Sequence, residues 1–88
     1  MNLNGKHRKT LAAIYCKPFR SDVKWADIER LFVPLGAEVT EGSGSRVRVA
    51  LKDRLAVFHR PHPQPTTDKG ALRSVQRYLS EAGIRPEE

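Results

Sequence analysis

Two histidines, His59 and His62, stand three residues apart. They follow an alternating run, Arg46-Val47-Arg48-Val49, and precede Lys69-Gly70-Ala71-Leu72-Arg73 and Arg77. Imidazole can take or give a proton near neutral pH. Guanidinium stays charged and grips phosphate oxygens through a planar fork. Together they are the ingredients of metal-free phosphodiester chemistry, with a base for a 2′-hydroxyl and cations for a pentavalent phosphate. His62 lies between Pro61 and Pro63, where it would contact phosphate, supply a proton, or tie down a stiff loop through a ring nitrogen. His59 would stand beside Arg46 and Arg48 if Val57 and His59 face outward, and is otherwise an ordinary exposed histidine. Gly70 either lets a phosphate approach free amide hydrogens at a helix start or serves close helix packing.

Other chemistries find no support. Cys16, His7, His59 and His62 lack paired zinc-type spacing, so no metal is expected, and nothing implies a cofactor. Ser43 and Ser45 have no local acid–base companion. Trp25 reads as core rather than as a base-stacking platform.

The charge distribution points to the partner. The chain has 88 residues, a net charge of +6 and a pI of about 10.0, a balance that suits nucleic acid or an acidic protein. From Gly42 to Ser80, Arg46, Arg48, Lys52, Arg54, Arg60, Lys69, Arg73 and Arg77 stand against Asp53 and Asp68, giving +6, and the remaining residues sum to zero. Arg46, Arg48, Arg60, Lys69, Gly70, Arg73 and Arg77 are thus the candidate RNA-binding set. The length fits a single domain over residues 1–88 with a small core. A lone Cys16 permits no internal disulfide, no apolar run approaches a membrane span, and no signal-peptide pattern opens the chain, so a cytoplasmic location is expected.

The elements that would position these residues follow from periodicity. Leu11, Ile14 and Tyr15 mark a helix over about 6–16, stopped by Pro18. Ser21 or Asp22 can cap a second helix whose apolar stripe is Trp25, Ile28, Phe32 and Leu35. Pro34 predicts an irregular last turn, and Gly36 a left-handed residue after it. Strands are expected over 37–41, 46–51 and 55–59, with a Gly42–Ser45 turn, a tight Lys52-Asp53-Arg54 turn, and the facing of the third strand left open between Ala56/Phe58 and Leu55/Val57. After a Pro-rich loop over 60–67, Thr67 or Asp68 caps a third helix to about Ala82, with Leu72, Val75, Leu79 and Ala82 inward. Gly83 ends it, and Arg85–Glu88 should fray. The order is α-α-β-β-β-α. That is an α+β fold with a small three-stranded antiparallel sheet on helices, like a double-stranded-RNA-binding domain behind an extra helix. Such a module reads shape, 2′-hydroxyls and phosphates.

Pro61-His62-Pro63, then Gly70-Ala71-Leu72-Arg73 and a closing Ala82-Gly83, resemble the signature of HicA toxins. The resemblance covers about 25–84, leaving about 1–20 as an added helix. It implies an RNA-binding toxin paired with a cognate HicB-like antitoxin, acting on mRNA as an interferase (an endoribonuclease). The family places Gly-Ser-His at the start of the second strand, its His being the proposed catalytic residue. Here Gly44-Ser45-Arg46 stands in that register, and sliding by two gives Gly42-Ser43-Gly44. Arginine keeps phosphate affinity and removes the base, so cleavage by the family mechanism should be weak or lost. Two alternatives stay open. One is an active ribonuclease using His59 or His62. The other is a catalytically silent protein-interaction module.

Overall fold

A computed structural model describes residues 3–86. Of the tail expected to fray, Glu87 and Glu88 lie outside the described residues. The elements are α1 (Gly5–Ile14), α2 (Trp25–Phe32), β1 (Glu38–Glu41), β2 (Arg46–Leu51), β3 (Arg54–His59) and α3 (Lys69–Glu81). The order and the antiparallel β1-β2-β3 sheet are those expected.

α1 starts one residue earlier than its apolar stripe suggests, because the Asn4 side chain accepts from the His7 N–H at 2.8 Å. It buries Leu11 and Ile14, and Tyr15 already sits at the C-cap. α2 departs from expectation at its start. Neither Ser21 nor Asp22 caps it: Asp22 is gripped by Arg20 through two bonds of 2.8 and 2.6 Å. Lys24 takes the cap position without a side-chain bond. The preceding chain is extended and pairs with the Pro-rich loop. Trp25 N–H donates to the Pro65 carbonyl at 3.0 Å, and Thr67 N–H to that of Val23 at 2.7 Å. That pairing supplies one of the partners a helix start lacks. The helix stops at Phe32, before Pro34, and Gly36 takes φ +90°.

The β2–β3 turn is two residues, not three. Lys52 and Asp53 both adopt positive φ (49° and 65°), and Arg54 joins β3 opposite Leu51, as a tight hairpin turn requires. The facing of β3 is settled by the core. Phe58 is buried against Trp25 (5.8 Å between centroids), Phe32 (6.1 Å) and Tyr78 (5.8 Å), whereas Leu55 and Val57 are 83% and 55% exposed. Aromatic pairs at such separations add to simple burial.

Asp68 caps α3, accepting from the Ala71 N–H at 2.7 Å. Thr67 is buried instead, its hydroxyl without a hydrogen-bond partner among the described residues. Leu72, Val75, Leu79 and Ala82 face inward as expected, and Tyr78 joins them, its hydroxyl donating to the Arg54 carbonyl at 2.8 Å. Gly83 (φ +80°) closes the helix, with Ile84 N–H bonded to the Leu79 carbonyl at 2.9 Å.

Candidate nucleic-acid interface

Side chains alternate across a strand, so burying Val47, Val49 and Phe58, with Ala56 half-buried beside them, forces their neighbours onto the opposite face. That outer face carries Arg46 opposite His59, Arg48 between Thr40 and Val57, and Ala50 between Glu38 and Leu55. Arg46, Arg48 and His59 are exposed. The Arg46 guanidinium donates through Nε to His59 Nε2 at 3.3 Å. His59, a residue in the position expected if β3 faced outward with Val57, therefore has one ring nitrogen turned toward a cation and the other without a hydrogen-bond partner among the described residues.

His62 is exposed in the loop, and its ring makes no hydrogen bond among the described residues. Loop anchoring, the role that its flanking prolines suggested, falls to a different residue. Arg60 donates to both oxygens of Glu29 (2.7 and 3.0 Å) and both of Glu41 (2.7 and 2.7 Å). Glu29 also accepts from the Trp25 indole. This clasp joins α2, β1 and the end of β3. It holds the Glu41 carboxyl below the ordinary carboxylate range, and the two carboxylates raise the Arg60 guanidinium further. Arg60 differs from the other residues of the candidate RNA-binding set in that its fork is already filled by carboxylates.

Lys69, Gly70, Arg73 and Arg77 are exposed on α3. A side chain built on Gly70 would meet only Asp68 Oδ1, at 3.5 Å, an ordinary contact. Tight packing therefore does not explain this glycine. Gly70 instead borders a groove of about 350 Å³ with Val57, Phe58, His59, Asp68, Ala71 and Ser74.

A second basic region went unnoticed in the sequence because two acidic stretches, 25–41 at −3 and 81–88 at −2, cancel it in the sum. Residues 1–24 carry Lys6, Arg8, Lys9, Lys17, Arg20 and Lys24 against Asp22 alone, a net +5. Lys6, Lys9, Arg20 and Lys24 line one groove between α1 and α2, with Asp22 and Asp27. Reading charge in windows, rather than as one remainder, would have found it. Among the described residues no cluster of three or more His, Cys, Asp or Glu side chains could hold a metal, and no helix is long and apolar enough to cross a membrane.

The element order and a three-stranded antiparallel sheet with one basic open face define a small α+β module of order α-α-β-β-β-α. The family model described as HicA toxin of bacterial toxin-antitoxin matches residues 25–84, and the chain belongs to that family. Membership implies a cognate antitoxin. No curated protein and no solved structure matches significantly.

Proposed function

We propose that this chain is the RNA-binding toxin of a type II pair, meeting mRNA with the outer face of its sheet in the cytoplasm, with a HicB-like protein as antitoxin. The observation that carries the reading is the exposed row of Arg46 and Arg48 on an otherwise open sheet face. Lys69, Arg73 and Arg77 add exposed cations on α3. Gel-shift titration with a structured RNA tests it. Binding should weaken steeply with salt, because neutralised phosphates release counterions. A salt-independent affinity, or one unchanged in Arg46→Ala/Arg73→Ala, refutes it.

Cleavage by the family mechanism is weak or absent, since Arg46 stands in the register of the family's histidine. The 3.3 Å contact favours a second reading, in which His59 replaces that base. Neutral imidazole would take the 2′-hydroxyl proton. The resulting oxygen attacks phosphorus and expels the 5′-oxygen, which takes a proton from water, leaving a cyclic phosphate, while Arg46 stabilises the pentavalent phosphate. Among the described residues no comparable partner flanks His62.

A further inference from the structure

The sheet has two edges, and they differ. β1 is four residues long and carries Glu38 and Glu41, the short and charged form that discourages pairing. β3 is six residues long and has neither proline nor acid. Its free backbone can be identified from the register. Arg60 N–H bonds to the Ser45 carbonyl at 2.9 Å, and Ser45 and Arg60 continue the β2–β3 pairing. Antiparallel bonds alternate along a strand. Phe58 and Ala56 therefore bond toward β2, whereas Leu55, Val57 and His59 turn their N–H and C=O groups outward. Among the described residues, none of these three makes a backbone hydrogen bond outside the sheet.

The same edge is flanked by two unlike walls. On the outer face, Leu55 and Val57 are the exposed apolar pair. On the inner side runs α3, antiparallel to β3. Glu81 pairs with Arg54 at one end, and Gly70 and Ser74 line the groove beside Val57 and His59 at the other. Gly70, Arg73, Ser74 and Arg77 recur at spacings of three and four, which puts them on one stripe of that helix. All four are exposed, and neither arginine has an ion-pair partner among the described residues.

We propose that the free edge of β3 is a docking strand, and that it takes an extended segment of a partner protein in which apolar and acidic residues alternate. A strand added there presents successive side chains to opposite faces. One set covers Leu55 and Val57, and the other meets Arg73 and Arg77. Backbone bonds to Leu55, Val57 and His59 supply the register. Naming the partner as the antitoxin rests on the toxin-pair reading above; the edge and its chemistry do not. Such a strand sits beside His59, so its arrival competes with RNA on the outer face.

The test uses the full chain, labelled with nitrogen-15, and a synthetic capped peptide Thr-Val-Glu-Val-Glu-Val-Thr. Two counterparts are N-methylated, one on the valines and one on the glutamates. The peptide should shift the amide signals of Leu55, Val57 and His59 and slow their hydrogen exchange. One methylated peptide should bind like the parent and the other about tenfold or more weakly, because only alternate amides of a strand face its neighbour. Val57→Lys, at an exposed site, should also weaken binding, and Arg73→Glu/Arg77→Glu should do so with the fold intact by amide spectrum. Arg46→Ala should leave peptide binding unchanged while weakening RNA, which separates failure of this proposal from failure of the RNA reading. No binding, binding indifferent to both methylations, or shifts confined to Arg46 and Arg48 overturns the proposal. So does protection of the β3 edge by RNA and not by the peptide.

Discussion

Arg46 and His59 face each other across β2 and β3, with Arg46 Nε donating to His59 Nε2 at 3.3 Å. The contact places the Arg46 guanidinium on the imidazole lone pair. A base needs that lone pair free, so on the reading proposed above RNA would have to draw Arg46 toward phosphate before His59 Nε2 could act. Arg46→His should raise RNA cleavage more than it raises RNA binding. His59→Ala should abolish any cleavage by the wild-type chain while affinity holds, the pattern of a lost acid or base. His62→Ala, made in parallel, should leave both unchanged; cleavage lost only there would move the chemistry to the loop.

RNA affinity should separate the arginines by what they touch. Arg46→Ala/Arg73→Ala should weaken binding and flatten its salt dependence by about two contacts' worth in the log–log slope. Arg60→Ala should instead lower thermal stability, because it leaves Glu29 and Glu41 without their shared cation. RNA affinity measured below the melting transition should be little changed. A large affinity loss in folded Arg60→Ala would return that residue to the interface.

Much of this arrangement is legible in the chain because periodicity reports burial. Val47, Val49, Leu72, Val75 and Leu79, all set on inward periods, are buried with Trp25 and Ile28. What periodicity cannot report is choice between two equally apolar faces. Leu55/Val57 and Ala56/Phe58 both read as inward sets, and only the aromatic neighbours Trp25, Phe32 and Tyr78 around Phe58 decide between them. Ion pairing is hidden for a related reason. Arg60 reads as one more cation in a basic segment, because its carboxylates lie 31 and 19 residues away. The α2 cap was misread similarly: Asp22 is a good cap by type, but the strand-like pairing of Val23 and Lys24 with the loop moves the helix start past it.

The clasp predicts an acid sensitivity. Arg60 holds the Glu41 carboxyl below the ordinary glutamate range. A depressed carboxylate contributes stability that is present above its unfolded value and lost as pH falls through the folded one. Thermal melts should therefore lose stability below about pH 4.5, more so in the wild type than in Glu41→Gln. Equal acid sensitivity in the two chains would show that Glu41 contributes nothing.

Leu79 is fully buried in α3. Leu79→Ala should cost about 2–5 kcal/mol in urea denaturation, the spread depending on how far the site collapses. A cost under about 1 kcal/mol would mean that the helix packs loosely on the sheet.

The last prediction concerns α1, which lies outside the matched residues 25–84. An appended helix could be dispensable, but three observations argue that it is part of the fold. Leu11 and Ile14 are 2% and 0% exposed within the common core. The Tyr15 hydroxyl donates to the Ile84 carbonyl at 2.5 Å, joining the helix to the end of the matched segment. The Gln76 amide donates to the Ile14 carbonyl at 3.4 Å. We propose that residues 1–88 fold as one unit. Deleting residues 1–17 should remove about 3–6 kcal/mol from Leu11 and Ile14 alone, comparable to the whole stability of so small a domain. Tyr15→Phe, which keeps the packing and removes the bond, should cost about 1 kcal/mol. Burial pushes the Tyr15 phenol above its ordinary value. Its contribution is therefore complete at neutral pH and lost as pH rises through the alkaline range. A truncated chain that unfolds cooperatively with the midpoint of the full chain would make α1 an ornament on an independent core.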